Sequence, residues 1–207
     1  MSAFPPSLSR WLMRGLPALG VLALLLVLAG CQRNPPAPHQ GPTPANDTEA
    51  QALADFQQRI NAYVDLHKRL EAPLPKLPKE ATPEQIDRNQ RELGHLIQGA
   101  RKEAKQGDLF TPAMEKLIRE HFAIVFKAKD GENVKASVMD ENPVGTKVSV
   151  NLRYPDEVPM STMPPEVLQL LPKMTEELEY RFVGRHLVVM DVHAHVIADY
   201  VSNAIPE

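Results

Sequence analysis

Proline placement constrains this chain more than any other feature, because a proline inside a helix removes a backbone donor and clashes with the preceding turn. Twenty prolines stand against ten glycines in 207 residues. Beyond the N-terminal segment many of them gather in three stretches, "QRNPPAPHQGPTPAND", "APLPKLPKEATP" and "PDEVPMSTMPP". Regular elements must fit between these stretches, and each intervening segment can be read by its own apolar period.

The first such segment opens at Asp47 or Thr48, either of which can cap a helix, and runs to about Leu70. Leu53, Phe56, Ile60, Tyr63, His67 and Leu70 recur at helical spacing as one stripe, with His67 inside it. Thr82 followed by Pro83 starts a second helix, which carries Ile86, Leu93, Leu96, Ile97, Ala100 and Ala104 until Gly107 ends it. The same threonine–proline start at Thr111-Pro112 predicts a third helix to about Phe126. Its inner face is Met114, Leu117, Ile118, His121, Phe122 and Val125. Val134 to Met139 fits a fourth, short helix.

The period then changes. Val148, Val150, Leu152 and Tyr154 alternate with Ser149, Asn151 and Arg153, the pattern of a half-buried strand. After the last proline stretch a short helix is expected from Pro165 to Leu171. "LEYRFVGRHLVVM" then reads as a hairpin turning at Gly184-Arg185. That turn sets Phe182 against Leu187, Tyr180 against Val189 and His186 opposite Val183. Asp191 is a good cap for a C-terminal helix with Val192, Val196, Ile197, Tyr200, Val201 and Ala204 on its apolar face. The expected fold class is α+β. Three to four helices over residues 48–140 pack with a three-stranded antiparallel sheet and a C-terminal helix over 145–207, as a single domain of 48–207.

Residues 1–30 contain Arg10 and Arg14, no acid, and an apolar run from Leu16 to Leu28 that is short for a bilayer span. The run ends in "LAGC": Leu28, Ala29, Gly30 and the only cysteine, Cys31. This arrangement resembles the lipobox of bacterial lipoproteins, which signal peptidase II cleaves just before the cysteine. The resemblance implies that residues 1–30 are a signal peptide and that Cys31 becomes an acylated N-terminus holding the protein in the lipid bilayer. Acyl chains supply ~0.8 kcal/mol per buried CH₂, enough for stable anchoring without a protein surface in the membrane. Gln32, standing where an aspartate commonly signals inner-membrane retention, implies the periplasmic face of the outer membrane in a two-membrane source. Residues 31–47 then read as a lipidated cysteine on a proline-rich, disordered tether of at most ~50 Å reach. The stretch from Leu178 to the C-terminus also loosely resembles exported bacterial proteins of unknown function.

With Cys31 acylated, no thiol remains for a disulfide or for redox chemistry. Two of the 23 basic side chains leave with the signal peptide, so 21 face 26 acidic ones. That balance argues against nucleic acid and against a polybasic membrane contact.

The stretch "DVHAHVIAD" brings His193 and His195 between Asp191 and Asp199, and these two histidines are the metal-ligand candidates. On a strand they share a face, whereas on a helix they stand ~200° apart. In the expected C-terminal helix they therefore do not grip one ion. His193 packs at the helix start, and His195 is exposed beside Asp199. Glu92 and His95 form a single Glu-x-x-His without the second copy a di-iron bundle needs. His67 and His121 read as core or boundary residues, and Arg153, Arg181 and Arg185 as the polar face of a sheet. No Gly-rich phosphate loop, nucleophile elbow or His-Glu-x-x-His helix is present in the sequence.

The expectation is an envelope lipoprotein with a non-catalytic binding or assembly module. It needs no cofactor and no metal, and its partners are the bilayer and another envelope protein. The alternatives are a metal-dependent hydrolase using clustered histidines and a lipoprotein that binds a small anion or glycan. The observation that separates them is whether three of His67, His95, His121, His193 and His195 meet a carboxylate around one cavity.

Overall fold

The computed structural model describes residues 47–140, 142–143 and 145–206. The expected signal peptide, the lipobox at Leu28, Ala29 and Gly30, the acylated Cys31 and the tether up to residue 46 lie outside the described residues. Five helices and three strands follow in order: α1 (Asp47–Glu71), α2 (Pro83–Ala100), α3 (Pro112–Phe126), α4 (Gly131–Met139), α5 (Pro165–Leu168), β1 (Leu178–Val183), β2 (His186–Asp191) and β3 (Val196–Val201). The fold is α+β: among the described residues four N-terminal helices and the one-turn α5 precede a C-terminal three-stranded antiparallel sheet of order β1-β2-β3. No helix among the described residues is long and apolar enough to cross a membrane.

Local chemistry explains the helix starts. The Thr82 hydroxyl accepts the Gln85 N–H at 3.3 Å, while the Gln85 side chain accepts the Thr82 N–H at 2.8 Å, a reciprocal pair that closes the start of α2. Thr111 caps α3 one way only, its hydroxyl accepting the Met114 N–H at 3.4 Å. At the hairpin, Gly184 takes φ +58, which an L side chain would resist. Phe182 then pairs with Leu187, Tyr180 with Val189 and Val183 with His186, the register expected from the turn.

The sheet buries both faces. Leu178, Tyr180, Phe182, Leu187, Val189 and Val201 join Phe56, Ile60, Leu93, Ile97 and Phe122 in the main core. On the opposite face Val183, Val188, Met190 and Ile197 pack with Tyr154, Val148 and Val158, which come from the loop before α5.

Four expectations change. The C-terminal helix does not exist, because residues 196–201 form β3, antiparallel to β2 with a bulge at Val189/Met190. Val196, Ile197, Ala198, Asp199 and Val201 are all buried, and a short run buried on both faces carries no period that separates strand from helix. Asp191 closes a turn instead of capping a helix, and His195 stands at φ +52 within that turn. The alternating stretch 148–154 is not a strand. Asn151 takes φ +62 and interrupts it, leaving the single bridge Arg153–Val196 and backbone bonds from Asn151 and Tyr154 to the β3 side. The second helix stops at Ala100 and not at Gly107. Beyond it the chain turns so that the N–H groups of Gly107, Leu109 and Phe110 reach the buried Asp199 carboxylate, at 3.2, 2.7 and 2.9 Å. Finally, α5 ends at Leu168, three residues before the expected Leu171.

Candidate metal centre

The 3–4 stripe of α1 places Tyr63, His67 and Glu71 one helical turn apart on one side of the helix. That side meets the end of β2, where Asp191 is fully buried. A carboxylate so placed needs donors, and the sequence supplies four. Its Oδ2 accepts from His67 Nδ1 at 2.7 Å and from the Tyr63 hydroxyl at 3.0 Å. Its Oδ1 accepts the N–H groups of His193 at 3.2 Å and Ala194 at 2.9 Å. One carboxylate therefore orients the His67 ring and also shapes the turn that carries His193.

Because Asp191 can only accept, Nδ1 of His67 carries the hydrogen, and in the neutral ring Nε2 presents its lone pair. This Nε2 is buried and has no hydrogen-bond partner. It lies 3.5 Å from Glu71 Oε2, and Glu71 Oε1 lies 3.1 Å from His193 Nδ1. The two imidazole rings stand 5.3 Å apart, tilted by 54°. One ligand atom from each of His67, Glu71 and His193 falls within 4.8 Å of the others. Ligands on a tetrahedral zinc ion sit roughly 3.4 Å apart, so a small adjustment of the two exposed side chains brings the set to bonding geometry. His67 is inaccessible, whereas the Glu71 and His193 side chains are 40% and 49% exposed, so the cluster has a closed wall and an open mouth.

Burial alone pushes the His67 imidazole down, but the hydrogen bond and charge of Asp191, helped by Glu71 and Glu177, raise it above its ordinary value. Burial, and then the Asp191 charge, push the Tyr63 hydroxyl well up, so it remains a donor. The Arg101 guanidinium lies 4.8 Å over the Tyr63 ring and bonds the Ala198 carbonyl at 3.0 Å, which ties the α1 residue to β3.

The His193 turn is held from outside as well. Arg153 donates to the Ala194 carbonyl at 2.8 Å, the Tyr154 N–H to the His195 carbonyl at 2.7 Å and the Val192 N–H to the Glu177 carbonyl at 3.0 Å. Gly94 of α2 faces the same turn, where a Cβ would stand 3.2 Å from the Ala194 oxygen. A glycine there lets the helix approach the turn closely.

Two histidines, not three, meet a carboxylate. His193 joins the cluster, while His195 pairs with Asp156 at 3.3 Å. His95 and Glu92 are exposed on α2, and His121 lies 3.6 Å from Glu49. His186 accepts the Asn203 N–H at 3.3 Å and meets the Tyr200 ring edge-on. Asp199, in β3, accepts N–H groups from the loop after α2, while His195 pairs with Asp156. The arginines disperse: Arg181 pairs with Glu179, Arg185 bonds the Ile205 carbonyl, and Arg153 holds Asp156 and the turn.

The His67–Glu71–His193 cluster corrects the expectation of a purely non-catalytic module and favours the alternative of clustered histidines, since it brings together three side chains that could hold a metal ion, with His193 and not His195 among them. Glu71 was missed altogether. Its signal was the i,i+4 pairing with His67 on one helix face. Comparison with known protein families, with curated proteins and with solved structures returned no match.

Proposed function

We propose that this chain is a metal-dependent hydrolase in which His67, Glu71 and His193 bind one divalent ion. The observation that carries this reading is the buried Nε2 of His67, turned by Asp191 toward two further ligand atoms and left without a hydrogen bond. Buried polar atoms in folded proteins are nearly always paired, and an imidazole aimed by a carboxylate is the usual support of a metal ligand. Two imidazoles with one carboxylate suit zinc better than calcium or magnesium, which prefer oxygen-rich sets. Three protein ligands leave coordination positions free, and the exposed side of the cluster leads to them. An ion held this way polarises a substrate carbonyl or phosphoryl oxygen and lowers the pKa of a bound water.

The proposal includes the setting. The "LAGC" segment supports a protein anchored through acylated Cys31 on a proline-rich tether, working on substrates of the envelope at the outer membrane's periplasmic face.

Calorimetric titration of the full-length protein in detergent tests the centre. One zinc ion is expected to bind with a Kd of about 1 μM or tighter. His67→Ala and His193→Ala are each expected to weaken it by about 100-fold or more, and His195→Ala to leave it unchanged. Absence of a stoichiometric site, or equal loss in His195→Ala, would sink the reading. The anchor has its own test, metabolic labelling with palmitate. Label is expected on the wild type and none on Cys31→Ser, and persistent label on that variant would remove the lipoprotein assignment.

A further inference from the structure

His193 sits in the turn between β2 and β3, outside the strand ladder, so its ring is aimed only as well as that turn is held. The next residue, Ala194, is fully buried, and side chains take both of its backbone polar groups. Asp191 Oδ1 accepts its N–H at 2.9 Å from inside the fold, and Arg153 Nη1 donates to its carbonyl at 2.8 Å. That carbonyl lies against Gly94 of α2, which has no side chain to offer it, and a buried carbonyl needs a donor. Arg153 is itself held on both sides. Its backbone makes the bridge to Val196 at the start of β3, and the neighbouring Tyr154 N–H reaches the His195 carbonyl at 2.7 Å. Its Nη2 donates to Asp156 Oδ1 at 2.8 Å, while Asp156 Oδ2 accepts from Arg91 Nη2 of α2 at 2.8 Å. His195 Nδ1 lies 3.3 Å from Asp156 Oδ1, and Asp87 Oδ1 lies 3.9 Å from Arg153 Nη2. With its side chain 18% exposed, Arg153 uses two prongs of a rigid planar fork at once, one on the turn and one on the carboxylate.

We infer that Arg153 is a positioning residue for the metal centre: through the Ala194 carbonyl it holds His193 within reach of Glu71 and His67, and Asp156 with Arg91 sets the angle of its guanidinium. The inference rests on the metal-centre reading and adds the means by which the one ligand from the sheet is set against the two from α1. The two supports of the turn differ in what they touch. Asp191 holds the turn from within and also turns His67, whereas Arg153 reaches the centre only through the residue after His193. Loss of Arg153 is therefore expected to lower metal affinity only while His193 is there to be aimed.

Zinc calorimetry of the full-length protein in detergent, over a double-mutant cycle of Arg153 and His193, tests this. Arg153→Met keeps the aliphatic stem and removes the fork, and is expected to weaken zinc binding by about 10-fold. In the His193→Ala background the same substitution is expected to change binding by less than about twofold. A residue that merely stabilised the fold would give equal changes in both backgrounds. Equal losses, or an Arg153→Met protein within about twofold of wild type, would overturn the inference. A second readout needs no metal. The His67 and His193 rings, 5.3 Å apart, are expected to show a nuclear Overhauser contact in the wild type that disappears in Arg153→Met. Persistence of that contact in the variant would also overturn the inference, and the contact decides alone if His193→Ala binds zinc too weakly to measure. Should Arg153→Met fail to fold, Asp156→Ala, at a partly exposed side chain, is read the same way, with an expected loss of about fivefold. A wild-type protein that takes up no zinc would instead refute the metal centre itself, an outcome read before any variant is made.

Discussion

Asp199→Ala is expected to destabilise the protein by about 3–5 kcal/mol. The residue is fully buried in β3, and its carboxylate gathers N–H groups from Leu109 at 2.7 Å, Phe110 at 2.9 Å, Gly107 at 3.2 Å and Tyr200 at 2.8 Å. Burial pushes this carboxyl up and the four N–H groups pull it back, leaving it above its ordinary value. Alanine removes the acceptor and leaves the Leu109 and Phe110 N–H groups buried without one, at about 1–3 kcal/mol each, while the part-buried Gly107 and Tyr200 N–H groups cost less. Asp199→Asn is expected to lose less, because one oxygen still accepts while the amide NH₂ faces donors it cannot pair with. Urea unfolding measures both. A loss below about 1 kcal/mol in the alanine variant would mean that the loop after α2 is held by other contacts.

Asp191 carries the second large effect. Asp191→Asn is expected to weaken zinc binding by about 10–100-fold, the usual consequence of removing the carboxylate that orients a ligating imidazole. Asp191→Ala is expected to go further and cost the metal-free fold about 3–5 kcal/mol, since His67, Tyr63 and two turn N–H groups lose their common acceptor. The pH dependence has a definite sign. His67 is raised in the folded protein, so its stabilising pairing with Asp191 is fully present below about pH 6.5, the unfolded value, and is lost as the pH rises through the folded value. Asp191→Asn is expected to flatten that decline. Zinc calorimetry, with thermal melts of metal-free protein from pH 5 to 9, reads both effects. Wild-type affinity in Asp191→Asn would detach Asp191 from the site.

The elements legible in the sequence are those whose causes are local. The 3–4 stripe of α1, the threonine–proline starts of α2 and α3, and the Gly184 turn with its register all rest on residues within a few positions of one another. The proposed lipid anchor likewise draws on a local feature, "LAGC" in register with the end of an apolar run. Long-range pairing decided the rest. Residues 196–201 look like either a strand or a helix in isolation, and become a strand because β2 offers a free edge and both faces have partners. The apolar alternation of 148–154 is real, but it serves to cover the outer face of the sheet, with Asn151 breaking the ladder. The metal cluster was beyond local reading for the same reason. His67 meets Asp191 across 124 positions and Glu71 meets His193 across 122, and no period or spacing links residues that far apart. A histidine on an apolar stripe looks like core until the fold shows which carboxylate turns it and which nitrogen it leaves unpaired.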